Sequence, residues 1–162
     1  MGGIKTVFGG GGINKGRAFG EEGALDKVFK ILDDGGCKVI DTAALYGDSE
    51  QLLGKANAGS RFIIDTKTKG GFGGKGYATK EKVIEEGTHS KEMLKHDVDV
   101  YYLHAQDDDT PIEQTFAGFN EIYKTGFFKR LGLSNVKPAD VQKIYDLCKE
   151  KSWPLPSVYQ GQ

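Results

Sequence analysis

The sequence predicts an α/β fold: an incomplete TIM-type (β/α)8 barrel with about six parallel strands, forming a single domain over residues 1–162. Three observations lead there. Apolar strand segments and helical segments alternate along the whole chain. The strand segments are continuous apolar runs, as in a parallel sheet whose faces are covered by helices. Three successive strands end on a polar residue from which a buried strand gains nothing: Asp41, Lys67 and His104. Open doubly wound sheets share the first two features, whereas convergence of strand-end residues on one mouth belongs to closed barrels.

Taken in order, residues 4–8 (Ile-Lys-Thr-Val-Phe) alternate weakly and stop at Gly9–Gly12, a short strand followed by a loop. Leu25, Val28, Ile31 and Leu32 recur at helical spacing and place a helix over 21–34, ended by Gly35 and Gly36. The second strand is 38–43. Asp48 or Ser49 is suited to cap a short helix over 50–55, and 61–66 form the third strand. A long helix runs from about Thr79 to His96, interrupted by Gly87 at a cost of about 1 kcal/mol relative to alanine. The fourth strand is 98–103. Pro111 opens the next helix, with Ile112, Phe116, Phe119, Ile122 and Tyr123 on one face and Gly126 as terminator. Residues 129–135 form a fifth strand, Pro138 opens the last helix, and 156–160 begin a sixth strand.

A net charge of −1 gives no electrostatic case for nucleic acid or an anionic membrane. No apolar run approaches a bilayer span, and Met-Gly-Gly-Ile-Lys lacks the apolar core of a signal peptide, so a cytoplasmic location is expected. Cys37 and Cys148 are far apart and outside any Cys-x-x-Cys pair, and read as small buried residues. Gly71, Gly73 and Gly76 satisfy G-x-G-x-x-G, but no acid-tipped strand follows at the distance a dinucleotide fold needs. Gly74-Lys75 lacks the Ser or Thr of a P-loop. Asp107–Asp109 reads as a solvated loop or the cap of the following helix, not a metal site. His89 and His96 have no partner in a motif, and no metal site is expected.

Singly, Asp41 reads as a loop cap, Tyr46 as a packed aromatic and Lys67 as a solvated strand terminus. Together, and in their local contexts, they resemble the aldo-keto reductases, closest to the aflatoxin-aldehyde reductase branch. The matching pieces are Ile40-Asp-Thr-Ala43 with Tyr46-Gly47, Ile64-Asp-Thr-Lys67, Tyr101-Tyr-Leu-His104, Thr110-Pro-Ile-Glu-Gln-Thr115, Leu131-Gly-Leu-Ser-Asn135 and Val158-Tyr-Gln-Gly161.

The resemblance implies NADPH-dependent reduction of an aldehyde or ketone, a small-molecule carbonyl substrate, by a tetrad of Asp41, Tyr46, Lys67 and His104. Ser134, Asn135 and Gln160 would hold the nicotinamide carboxamide. Hydride delivered to a carbonyl leaves a developing alkoxide that needs a proton donor and hydrogen bonds. An unperturbed tyrosine, with a pKa of about 10, is a poor acid at neutral pH. A lysine ammonium beside its hydroxyl is expected to lower that pKa, with the aspartate holding the lysine and the histidine orienting the carbonyl oxygen.

A complete barrel usually takes about 250 residues, so strands seven and eight, where the family binds the cofactor's pyrophosphate and 2′-phosphate, have no counterpart here. Two unpaired sheet edges are expected, and with them a homo-oligomer that covers the open sides. The glycine-rich first loop and Lys91 also depart from the family pattern. Two other functions stay open at this point: a cofactor-independent acid/base enzyme (isomerase, dehydratase or cyclase) reusing the tetrad, and a non-catalytic binding protein or truncated fragment.

Overall fold

The computed structural model describes residues 4–21 and 23–161. Six strands, β1 (Val7–Gly9), β2 (Val39–Asp41), β3 (Ile63–Lys67), β4 (Val98–Leu103), β5 (Phe128–Ser134) and β6 (Pro156–Gln160), form one parallel sheet in sequential order. Between them lie α1 (Ala24–Asp34), α2 (Ser49–Lys55), α3 (Lys80–Leu94), α4 (Ile112–Lys124) and α5 (Pro138–Glu150). A parallel sheet in sequential order with intervening helices is the curled arc of an incomplete (β/α) barrel, the expected fold class.

Strand periodicity divides this sheet into two chemistries. Ile40, Ile64, Tyr101, Leu103 and Leu131 join Phe29, Leu53, Val83, Phe116, Phe119 and Ile144 of the helices in one continuous core. The Tyr101 ring, fully buried, packs against Phe119, Phe127 and Phe128 with centroids 5.2–5.6 Å apart. The alternate residues Asp41, Asp65 and Lys67 are also buried, but on the other face.

Several boundaries differ from the sequence reading, each for a local reason. β1 begins at Val7, not Ile4, because Val7 is the first residue to find a register partner, Val39. Gly10–Gly12 form a 3-10 turn that the glycines permit, since a Cβ on Gly10 would lie 2.9 Å from the Asp41 carbonyl. α1 starts at Ala24 after Gly23 in a left-handed conformation. Neither Asp48 nor Ser49 caps α2. Asp48 instead accepts the Lys15 N–H, and the Ser49 hydroxyl bonds to Thr42 Oγ1 and donates to the Gly10 carbonyl. Thr79, by contrast, does cap α3, accepting the Lys82 N–H.

Gly87 does not interrupt α3. A Cβ there would come within 2.8 Å of Ile122, so the glycine lets α3 and α4 approach. Asp107 is neither solvated nor a helix cap. It is buried, accepting N–H groups from Gly76, Ala78 and Asp109 and the Thr110 hydroxyl, which ties the 70–78 loop to the loop after β4. Glu86 fastens the other end of that loop, accepting the Lys69 N–H at 3.0 Å and the Tyr77 hydroxyl at 2.9 Å. Both cysteines are free and buried, as expected. No helix among the described residues is long and apolar enough to cross a membrane.

Candidate active site

Asp41, Lys67 and His104 end or immediately follow β2, β3 and β4, so the sheet itself delivers them to one rim. Lys67, with no solvent exposure, donates to Asp41 Oδ1 and Oδ2, both at 2.6 Å, and to the Thr42 carbonyl at 2.8 Å. An ammonium has three N–H groups, and all three are engaged. Burial pushes the lysine's pKa below its ordinary value, against the opposing pull of Asp41, Asp65 and Glu50.

Tyr46 stands on the turn between β2 and α2, closed by the Tyr46 N–H to the Ala43 carbonyl and followed by Gly47 at φ 63°. The first loop runs beside the Tyr46 ring, where a Cβ on Gly11 would rest in ordinary contact 3.9 Å from it. Lys67 Nζ lies 5.4 Å from the Tyr46 ring centre and 5.6 Å from that of Tyr102. His104 is edge-on to Tyr46 at 5.8 Å and to Phe72 at 5.1 Å.

The electrostatics correct one expectation. Burial, with a smaller contribution from Asp41, raises the Tyr46 phenol above its ordinary pKa, and Lys67 does not lower it. The reason is geometric, since every N–H of the lysine points to Asp41 or Thr42 and none to the phenol. His104 is pushed down to about 4 by burial and then by Lys67, so its imidazole is neutral at neutral pH. Its Nδ1 is buried without a hydrogen-bond partner.

Ser134, Asn135 and Gln160 join the same rim. With His104 and Gly161 they line a cavity of about 230 Å³. Asn135 Nδ2 donates to the His104 carbonyl at 2.9 Å and to Ser134 Oγ at 3.0 Å, and Gln160 Nε2 donates to Asp41 Oδ2 at 3.2 Å. All seven residues singled out in the sequence therefore lie in one connected cluster. Three neighbours were missed: Asp65, Tyr102 and Phe72. The signal for the first two was strand periodicity, since 65 and 67, like 102 and 104, are two apart and share a face. Phe72 carried no such signal, because only the folded 70–73 turn brings its ring to His104. Among the described residues no group of three His, Cys, Asp or Glu is placed to hold a metal.

A parallel (β/α) arc with an acid, a lysine and a histidine on successive strand ends and a tyrosine beside them defines the class: a barrel domain whose polar residues gather at the C-terminal rim. The chain belongs to the aldo/keto reductase family, whose model matches residues 5–162. It is 37% identical over 161 residues to the oxidoreductase sirO of Leptosphaeria maculans, covering 95% of this chain and 48% of that protein. It is 34% identical over 157 residues to aflatoxin B1 aldehyde reductase member 2 of Rattus norvegicus (93% and 42%), and 38% identical over 141 residues to aldo-keto reductase family 7 member A3 of Homo sapiens (83% and 42%). The chain spans a little under half the length of these relatives.

Proposed function

We propose that this rim reduces an aldehyde or ketone with NADPH, with Tyr46 as the general acid. The observation that carries the reading is the buried Asp41–Lys67 pair beneath the Tyr46 ring. A buried ion pair is weak as a stabilising device, and its position under a tyrosine beside a neutral imidazole suits proton transfer.

A carbonyl oxygen placed between Tyr46 and His104 meets two kinds of donor. The neutral imidazole can donate an N–H without adding charge, which orients the oxygen as its negative charge grows. The phenol then gives up its proton. For that step Lys67 must turn one N–H from a present acceptor to the phenolic oxygen. The Thr42 carbonyl is the one it releases, because a neutral acceptor holds an ammonium less strongly than a carboxylate does. Once there, the ammonium favours the phenolate and offsets the upward push of burial.

The hydroxyl of Ser134 and the amides of Asn135 and Gln160 suit a nicotinamide carboxamide, which itself presents one donor and one acceptor group. When bound, the reduced nicotinamide supplies the hydride. Gln160 would exchange its bond to Asp41 for that carboxamide.

Titration with NADPH, followed by nicotinamide fluorescence, tests this reading. Saturable enhancement is expected. No saturable change would remove the reductase assignment and leave acid/base chemistry without a nicotinamide at Tyr46, Lys67 and His104 as the next reading.

A further inference from the structure

Tyr102 has no part in the chemistry above, yet the sheet sets it directly beside Lys67. The two are register partners across β3 and β4, and Tyr102 is in turn the partner of Gly132 across β4 and β5. Register partners of parallel strands point to one face, so the lysine, the tyrosine and the glycine form a single row. Tyr102 is 5% exposed, and the Lys67 ammonium lies 5.6 Å from its ring centre, within the range in which an aromatic face attracts a cation.

Gly132 accounts for where that ring lies. A Cβ there would come within 2.2 Å of Tyr102 Cδ1 and 2.5 Å of Cε1, so the ring fills the space that a side chain on β5 would take. Gly132 does not adopt a positive φ, so its backbone does not ask for glycine. A glycine inside a strand otherwise only weakens it. The β5–β6 register also shifts between Leu131 and Gly132. The fifth strand thus gives up both a side chain and a regular register at the residue the ring covers.

The consequence falls on Lys67. Its three N–H groups go to Asp41 and the Thr42 carbonyl, and for proton transfer one of them must leave the carbonyl for the phenol. A carboxylate or a water in the place of Tyr102 would compete for that N–H. An aromatic face favours the charged ammonium over the neutral amine while offering only a weak acceptor. The other titratable groups around the ammonium are Asp41 of β2, Asp65 of its own strand, Glu50 of α2, Tyr46 and His104. Tyr102 itself stays uncharged, because burial raises its phenol above the ordinary pKa.

We propose that Tyr102 is a positioning residue for Lys67: its ring, seated over Gly132, holds the ammonium charged without capturing the N–H that must turn to Tyr46. The inference rests on the role given to Lys67 under the proposed function.

The test replaces residue 102 with phenylalanine and then with its para-fluoro, difluoro and trifluoro forms, which keep the shape of the ring and withdraw negative charge from its face stepwise. The titration of the Lys67 ε-amine is read by 15N NMR. Tyr102→Phe is expected to leave the midpoint within about 0.3 unit of the unaltered protein. Each added fluorine is then expected to lower it, by about one unit over the series, with kcat for NADPH-dependent carbonyl reduction falling in the same order. A ring that only fills space gives no such order, and a midpoint constant within about 0.2 unit across the series would overturn the proposal. Should the trifluoro ring not be accommodated, the para-fluoro form decides. Its midpoint must lie below that of Tyr102→Phe, and the absence of a fall overturns the proposal equally. A stepwise fall in a protein without turnover at any pH would remove the reductase reading and still support the contact of Tyr102 with Lys67.

Discussion

Lys67 and Asp41 are joined by two hydrogen bonds of 2.6 Å, one to each carboxylate oxygen, in a site where the lysine has no contact with solvent. Removing one partner of such a pair leaves an uncompensated buried charge. Asp41→Ala is therefore expected to lose about 3–5 kcal/mol of stability. Asp41→Asn should lose less, because its amide oxygen still accepts one N–H. Urea unfolding of both variants measures the difference.

Tyr46→Phe keeps the ring beside Gly11 and edge-on to His104 and removes only the hydroxyl. A general acid contributes about 10²–10⁴ in rate. The expected outcome is a loss of kcat in that range with NADPH affinity unchanged. Turnover at the unaltered rate would take Tyr46 out of the proton-donor role.

The pH dependence of stability has two opposing contributions at this rim. Asp65 is raised from 3.8 to about 6, chiefly by burial, so its contribution is full below the unfolded value and lost as pH rises through 6. His104 is lowered from 6.5 to about 4, so its contribution is full above 6.5 and lost as pH falls towards 4. Asp65→Asn is accordingly expected to raise the Tm at pH 7.5 and to leave it unchanged near pH 3.5. The His104 proton resonances should stay flat from pH 8 to about 5.5 and inflect near 4.

Two helix glycines are contact points. A Cβ on Gly54 would lie 1.8 Å from the Met93 carbonyl, a backbone atom that cannot swing aside, whereas on Gly87 it meets the Ile122 side chain at 2.8 Å. Overpacking typically costs about 1–3 kcal/mol. Gly54→Ala should fall at or above the top of that range and Gly87→Ala nearer the bottom, as measured by thermal unfolding.

The described sheet ends in β1 and β6, with Val7 and Tyr159 each about half exposed. We propose that these edges pair with a second copy, since unpaired strand edges template association. Light scattering at micromolar concentration should report a dimer or larger. A stable monomer would remove the idea.

Much of this was legible in the sequence because strand ends and helix periodicity are local signals. Val39-Ile40-Asp41 and Ile64-Asp65-Thr66-Lys67 announce buried strands that arrive at a polar rim, whereas joining Asp41, Tyr46, Lys67 and His104 into a tetrad rested on the resemblance to the aldo-keto reductases. What escaped was settled by contacts between distant segments. Asp107 gave no sign that it would bond to Gly76 and Ala78, about thirty positions earlier. Gly87 looked like a flaw in a helix because its reason, Ile122, belongs to another helix. The acidity of Tyr46 was misjudged because spacing places a lysine near a phenol but does not say where its three N–H groups point.

Asp107 connects these matters to motion. One carboxylate grips the backbone of both the loop after β3 and the loop after β4, so residues 76–78 and the segment leading into α4 are tied together. Amides 76, 78 and 109 should then exchange with solvent at a common rate, opening together or not at all.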